Sequence, residues 1–241
     1  MPGLSYALII AGGEGERLRP LTNDRPKAMI PLAGRPLLEY QVGWLREQGV
    51  TNVVFLCGYR ADVLQEHVGD GSRLGIAAQY TFEEEPLGRG GALRQGYGLV
   101  PRGETAVLAL NGDVLTNQPL REMLRFHEQK GAAATVMLVP LRSPYGIVDV
   151  RRDGRIERFR EKPELPHWIN AGIYVLSPEF FARLPAKGDH ETSTFPDLAA
   201  EGKLFGYRSR AYWRSVDSIK DLREAEREVS QFSATAAVRS P

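Results

Sequence analysis

The sequence predicts an α/β fold: a doubly wound, mixed but mainly parallel sheet with helices on both faces, joined to a small β-rich subdomain. Three observations predict it. Short apolar runs alternate with segments of helical periodicity over residues 1–140, the pattern of successive βα units. Those runs are near-continuous, as strands buried on both faces require. Past residue 140 the texture changes to short strands around a tight turn.

Tyr6 to Ala11 is an apolar run that stops at glycines, so it reads as the first buried strand. Leu37, Leu38, Tyr40, Gln41, Trp44 and Leu45 recur at helical spacing, and Gly49 supplies a stop. Val53 to Cys57 is the next strand, Arg60 to Val68 a helix, and Ile76 to Phe82 a strand. Gly90 to Tyr97 makes a weak, glycine-rich helix start. Thr105 to Leu110 is a buried strand closing on Asn111-Gly112-Asp113, followed by an amphipathic helix from Pro119 to Lys130 and a strand from Ala133 to Pro140. Ile147 to Val150 and Arg155 to Arg160 flank the turn Arg152-Asp153-Gly154 as a hairpin. Trp168 to Leu176 is a further strand. Thr194 to Glu201 and Ile219 to Val229 are helical, the second with Ile219, Leu222, Ala225 and Val229 on one face. From Ser233 the residues are small and polar, which predicts a frayed tail over 233–241. With no repeat or linker, residues 1–232 are expected to form a single domain.

Composition narrows the function classes. Lys+Arg (31) and Asp+Glu (30) nearly cancel, so no overall basic field points to nucleic acid or a membrane surface, and any bound anion needs a local constellation. The single cysteine, Cys57, can form no internal disulfide and no cysteine-rich metal site, and its apolar neighbours predict a buried structural thiol. Neither a signal-peptide pattern nor a membrane-length apolar run is read, so the expected location is the cytoplasm. The four histidines (His67, His127, His167, His190) lack metal-ligand spacing and read as packing or surface residues. Homo-oligomerisation stays open.

The strongest chemical signal is Gly12-Gly13-Glu14-Gly15-Glu16-Arg17, with Arg19, Arg25 and Lys27 just beyond. Glycines directly after a first strand let backbone N–H groups approach a polyphosphate, and four cations nearby match its charge. A dinucleotide fingerprint needs glycine where Leu18 stands, and a Walker A loop needs Gly-Lys-Ser/Thr. Both fail. The stretch Gly12 to Gly34, with Arg25-Pro26-Lys27-Ala28-Met29-Ile30-Pro31-Leu32, resembles the signature of the sugar-phosphate nucleotidyltransferases, and the segments Pro86 to Leu93 and Tyr145 to Tyr174 look most similar to the mannose- and manno-heptose-1-phosphate guanylyltransferase type.

That resemblance implies a Rossmann-like, GT-A-like nucleotidyltransferase fold, with residues 1–140 binding nucleotide and 141–232 forming a sugar-phosphate part. It implies that Ala11, Gly12, Gly13, Gly15, Arg17 and Lys27 hold the triphosphate, with Arg17, Lys27 and Asp113 catalytic. Pro86 and Gly88 match the base-binding loop, where Arg89 stands in place of a small or hydroxyl residue. Asn111, Gly112 and Asp113 lie at a strand end, where open α/β sheets bind ligands. Asp113 and Asp217 are the implied Mg²⁺ ligands, although Ser218 follows Asp217 where glycine is common and Asp217 also suits a helix cap. Gly146, Glu161, Lys162, Asn170 and Gly172 match the sugar-phosphate side.

The implied substrates are a nucleoside triphosphate, GTP favoured, and a sugar 1-phosphate, mannose or manno-heptose favoured, with no nucleic acid or membrane partner. Uridylyl, cytidylyl or thymidylyl transfer to glucose-type sugars is an alternative within the class. A catalytically silent, nucleotide-sugar-binding regulatory subunit is the alternative outside it.

Overall fold

The computed structural model describes residues 3–237, with side chains through residue 229. In chain order its first half runs β1 (Tyr6–Ile10), β2 (Pro31–Leu32), β3 (Arg35–Pro36), α1 (Leu37–Glu47), β4 (Asn52–Cys57), α2 (Ala61–Val68), β5 (Ala77–Phe82), α3 (Gly88–Tyr97), β6 (Val107–Asn111), β7 (Val114–Thr116) and α4 (Leu120–Lys130). The second half continues with β8 (Ala134–Arg142), β9 (Ile147–Val150), β10 (Ile156–Arg160), β11 (Glu164–Leu176), α5 (Pro178–Ala182), α6 (Thr194–Ala200), β12 (Leu204–Arg208), β13 (Trp213–Ser215) and α7 (Ile219–Ala237).

A seven-stranded sheet in the order β12-β8-β11-β6-β1-β4-β5 organises the molecule. Only β11 is reversed: it pairs antiparallel with both β6 and β8, while the other pairings are parallel. The sheet is therefore mixed and mainly parallel, as the apolar runs predicted. The chain passes from β1 to β4 and β5 on one side, then returns to place β6 on the other side of β1. That reversal opens a crevice at the carboxyl ends of β1 and β6, where ligands bind in open α/β sheets.

Both faces of the sheet are buried. Ala7 and Ile9 of β1 pack with Leu38, Val42 and Leu45 of α1 and Met123 of α4 on one face. Leu8 packs with Leu93 of α3, Phe180 of α5 and Leu198 of α6 on the other. The glycine-rich sequence of α3 has a packing reason: a Cβ at Gly96 would lie 2.2 Å from Leu56 Cδ2. A weak helix former is thus used where the helix must approach the sheet closely. A third cluster packs Leu222, Ala225 and Val229 of α7 against Leu18, Ile30 and Leu32. The last helix, on the face its periodicity predicted, therefore supports the segment that follows the glycine loop.

The structure adds elements that local patterning does not reveal. β12 sits at the sheet edge with mixed burial and pairs with β8, while β7 and β13 form a three-residue ladder. Of the expected β-rich subdomain, the β9–β10 hairpin stands apart as its own two-stranded sheet and β13 pairs with β7, while β11 and β12 belong to the main sheet. Helix α7 continues to Ala237, past the Ser233 at which fraying was expected. The remainder of that expected tail, residues 238–241, lies outside the described residues. Cys57 is buried at the end of β4, and burial pushes its thiol up to about 12. No helix among the described residues is long and apolar enough to cross a membrane.

Candidate active site

The first wall of the site is the turn after β1. Ala11 N–H donates to Leu56 O at 2.9 Å, and a Cβ at Gly12 would lie 3.1 Å from Gly58 N. The turn must therefore pass close to the end of β4, which glycine permits. Gly15 has φ of 63°, and its carbonyl accepts from Thr22 Oγ1 at 2.9 Å. Lys27 N–H reaches back to Gly13 O at 3.3 Å. These bonds fold the cation-bearing segment onto the glycine loop.

The second wall is the end of β6. Gly112 N–H donates to Ile10 O at 2.9 Å, and a Cβ there would lie 2.6 Å from the same oxygen. Gln41, buried in α1, donates Nε2 to both Asn111 O and Val114 O at 2.8 Å. It clamps the corner that carries Asp113. The β7–β13 ladder pairs Val114 with Ser215, and Val216 N–H donates to Asp113 O at 2.9 Å. Asp217 is thereby delivered beside Asp113.

Between the walls lies a compact charge cluster. Lys27 Nζ donates to Asp113 Oδ2 at 2.5 Å and to Asp217 Oδ1 at 2.7 Å. Arg17 Nη2 donates to the same Asp217 oxygen at 2.8 Å, while Ser215 Oγ donates to Asp217 Oδ2 at 2.6 Å. Burial works to raise the Asp217 carboxyl, but the bonds from Lys27 and Ser215 and the two nearby cations outweigh it and hold it below the usual carboxylate range. Asp113 Oδ1 and Asn111 Oδ1 are buried without a hydrogen-bond partner. Orphaned acceptors of this kind ask for a donor or cation from a ligand.

A cleft of about 340 Å³ opens over these walls. Ala11, Gly12, Gly13 and Lys27 line one end, with Asn111, Gly112 and Asp113 beside them. Pro86, Gly88 and Arg89 line the other, together with Glu83, whose Oε2 accepts from Leu87 N–H at 3.1 Å. Of the residues expected to bind nucleotide, only Gly15 and Arg17 fall outside this lining: Gly15 shapes the turn and Arg17 reaches Asp217.

The residues expected on the sugar-phosphate side are not part of this lining. Gly172, at φ of 69°, packs so closely on Asn111 that a Cβ would lie 2.5 Å from its Nδ2. Asn170 Oδ1 accepts from Gly172 N–H at 2.8 Å. A Cβ at Gly146 would lie 3.2 Å from Glu161 Oε2, so these two positions adjoin. Lys162 Nζ is 3.7 Å from Glu161 Oε1, and both side chains are mostly exposed. The site roles of Gln41, Glu83 and the acidic pair Asp189 and Glu191 escaped the sequence reading. A polar residue on the apolar face of α1 was the available signal for Gln41.

Among the described residues no group of three His, Cys, Asp or Glu side chains converges to hold a metal unaided. The donor set nonetheless fits Mg²⁺: two carboxylates already share one cation, and Asp113 keeps a buried free oxygen. Mg²⁺ is commonly bound by one or two carboxylates plus substrate phosphates.

A glycine loop at a topological switch point, cations beside it and paired aspartates opposite are the parts of a phosphoryl-group-handling α/β domain, and the chain belongs to the nucleotidyl transferase family, which it matches over residues 6–231. Two curated relatives are the mannose-1-phosphate guanylyltransferase of Mycobacterium tuberculosis and the mannose-1-phosphate guanyltransferase beta-B of Xenopus laevis. The first is 37% identical over 224 residues and the second 36% over 223. In both cases the match takes in 90% of this chain but 62% of the relative, so the chain spans under two thirds of those proteins' length. Among solved structures, HddC from Yersinia pseudotuberculosis complexed with GMP-PN has a TM-score of 0.74 at 23% identity, over 94% of this chain and 100% of that one. UDP-glucose pyrophosphorylase complexed with UDP-glucose has a TM-score of 0.72 at 19% identity, over 95% and 99%. Both share the fold.

Proposed function

We propose that this chain is a sugar-1-phosphate nucleotidyltransferase that uses GTP and a manno-configured sugar 1-phosphate, with Mg²⁺ held by Asp113 and Asp217. The observation that carries the reading is Lys27, fixed between the two aspartates at the edge of the glycine loop. The names of the curated relatives and the GMP-PN bound to a structural neighbour support the choice of GTP and mannose. The same proposal takes residues 1–232 as one domain, its nucleotide part before and its sugar part after residue 140, in a cytoplasmic setting.

The chemistry needs no protein nucleophile. An anionic oxygen of the sugar 1-phosphate attacks the α-phosphorus; a new P–O bond forms, the bond to the β-phosphate bridging oxygen breaks, and pyrophosphate leaves in line. The protein must align two polyanions and neutralise charge as it moves. The backbone of Gly12 and Gly13 receives the triphosphate, and Arg17 and Lys27 donate to its oxygens. Lys162 neutralises the incoming phosphate, while Glu161 and Asn170 accept hydrogen bonds from sugar hydroxyls. Bound metal supplies charge neutralisation on the phosphates.

Pyrophosphate release across GTP, UTP, CTP, dTTP and ATP, each against mannose, glucose, N-acetylglucosamine and manno-heptose 1-phosphates, tests the proposal. Turnover with GTP and a manno-sugar is the expected result. Turnover in another column changes the substrate but keeps the class, and folded protein that binds a nucleotide sugar without turnover replaces the enzyme with a regulatory subunit. Lys162→Ala is expected to raise the sugar 1-phosphate KM by roughly tenfold or more with little change in nucleotide KM, since it removes one phosphate-binding cation. Unchanged kinetics would remove Lys162 from the site.

A further inference from the structure

One ion cluster is not used by the proposed reaction. Arg89 stands in the first turn of α3, in the loop matched to base binding, yet its side chain is committed elsewhere. Its Nε and Nη2 donate to Asp189 Oδ2 at 2.7 and 2.5 Å, and Nη2 also donates to Glu191 Oε2 at 2.7 Å. The other Glu191 oxygen accepts from Asn170 Nδ2 at 2.8 Å and from Tyr174 OH at 3.0 Å. A continuous set of charge-assisted bonds therefore runs from the nucleotide cleft to β11, where the sugar side lies.

The backbone keeps these partners in register. Gly188 N–H donates to Leu87 O at 2.8 Å, and Gly90 N–H donates to Gly188 O at 2.9 Å. A Cβ at Gly88 would lie 2.7 Å from Gly188 O, and one at Gly91 would lie 2.6 Å from Ala186 O. The segment 185–191 is thus laid directly on the start of α3, which places the acidic pair beside Arg89.

Counting hydrogen bonds at Asn170 shows what the arrangement does. Nδ2 donates to Tyr174 OH and to Glu191, which uses both of its hydrogens. Oδ1 accepts from Gly172 N–H and keeps one lone pair. Glu191 shares with Tyr174 and the Gly172 N–H in fixing which way the amide faces, and leaves its oxygen as the group open to a ligand. Without Glu191 one of these three bonds is lost and the amide oxygen is held less firmly in place.

We propose that Glu191 and Arg89 are positioning residues for the sugar 1-phosphate: Glu191 orients Asn170 as a hydroxyl acceptor, and Arg89 anchors Glu191. The inference rests on the nucleotidyl-transfer reading and deepens it. The departure at position 89 then belongs to sugar recognition and leaves the choice of base to other groups. Asn170 Oδ1 as the open acceptor suits a hydroxyl of a neutral polyhydroxylated ring, and the Glu191 charge behind it opposes a ring that bears a carboxylate.

The test is steady-state kinetics on the intact chain with wild type, Arg89→Thr, Arg89→Lys, Glu191→Gln and the Arg89→Thr/Glu191→Gln double variant. Arg89→Thr and Glu191→Gln are each expected to raise the sugar 1-phosphate KM by roughly tenfold while the nucleotide KM and base preference stay within about twofold. The double variant should be little worse than either single one, because both act through one network, and Arg89→Lys should recover part of the loss. Binding of the sugar 1-phosphate, followed calorimetrically, gives the same ranking if turnover becomes too slow to fit. A change in nucleotide KM or base preference with the sugar KM intact overturns the inference, as do strictly additive losses. Wild type inactive on every pair removes the activity reading itself, whereas active wild type with variants failing on the nucleotide side removes only this inference.

Discussion

Asp113→Asn is expected to lower turnover by roughly 10²–10³-fold or more, the range seen when one preorganised charge-stabilising contact is removed. The substitution keeps the size of the side chain and removes its charge. The corner that holds it does not depend on that charge: Gly112 bonds to Ile10 O, Gln41 bonds Asn111 O and Val114 O, and Val216 bonds the Asp113 carbonyl. The fold should therefore stay intact, with the unfolding midpoint near wild type. What changes is the partner of Lys27, which loses one of its two carboxylates. Mn²⁺ binding in the presence of nucleotide, measured by spin-label-free EPR, should weaken in parallel with turnover. Near-normal turnover and Mn²⁺ affinity would take the metal role away from Asp113.

Acid is expected to destabilise the fold well before the carboxylates titrate. His127 and His190 are both buried, at 4% and 0% exposure, and burial pushes each imidazole down to about 4. His190 is enclosed by the rings of Tyr174, Phe180 and Phe195, and neither of its nitrogens has a hydrogen-bond partner. The charges of Asp189 and Glu191 favour its protonation, but exclusion from water prevails. In the unfolded chain both histidines titrate near pH ~6.5. Their folded values are depressed, so the unfolded state binds more protons between pH ~6.5 and ~4 and gains on the native state as pH falls through that window. The stability they secure is complete above pH ~6.5 and declines toward pH ~4, by about 2 kcal/mol for each histidine at pH 5. Urea unfolding at pH 7.5 and pH 5 reads this directly. His190→Leu should flatten the dependence by about half, since an uncharged residue in the aromatic enclosure has no proton to gain. An unchanged slope would place the acid sensitivity elsewhere.

The sequence made some parts of this molecule legible and hid others for physical reasons. The buried strands β1, β4 and β6 show as apolar runs because both faces of each are covered, and the glycine loop shows because chain geometry at β1 demands small residues in a row. Asp113 and Asn111 could be read because they sit at the end of such a run. The face of α7 was readable from its period. β12 was not, because an edge strand with mixed burial carries no pattern that separates it from a loop. The segment 185–191 was equally silent: its meaning lies in backbone bonds to a glycine-rich turn about a hundred residues away, and its charged members look solvated in isolation. Arg89 read as an anomaly for the same reason, since its partner was not in view. Gln41 was visible as a residue but not as a clamp, because its role depends on a strand corner seventy residues downstream.

The bonds of Lys27 and Arg17 to Asp217 span 190 and 200 positions along the chain. During synthesis, β1, the glycine loop and β6 with Asp113 leave the ribosome long before Asp217 has been translated. Contacts that close so long a loop are among the last to be made, because the entropy of bringing the ends together must be met before they contribute. A nascent chain can thus assemble most of its sheet while Lys27 has one acidic neighbour in place of two. The Lys27–Asp113–Asp217 cluster is complete only once the segment around Asp217 has been made and folded back onto the glycine loop.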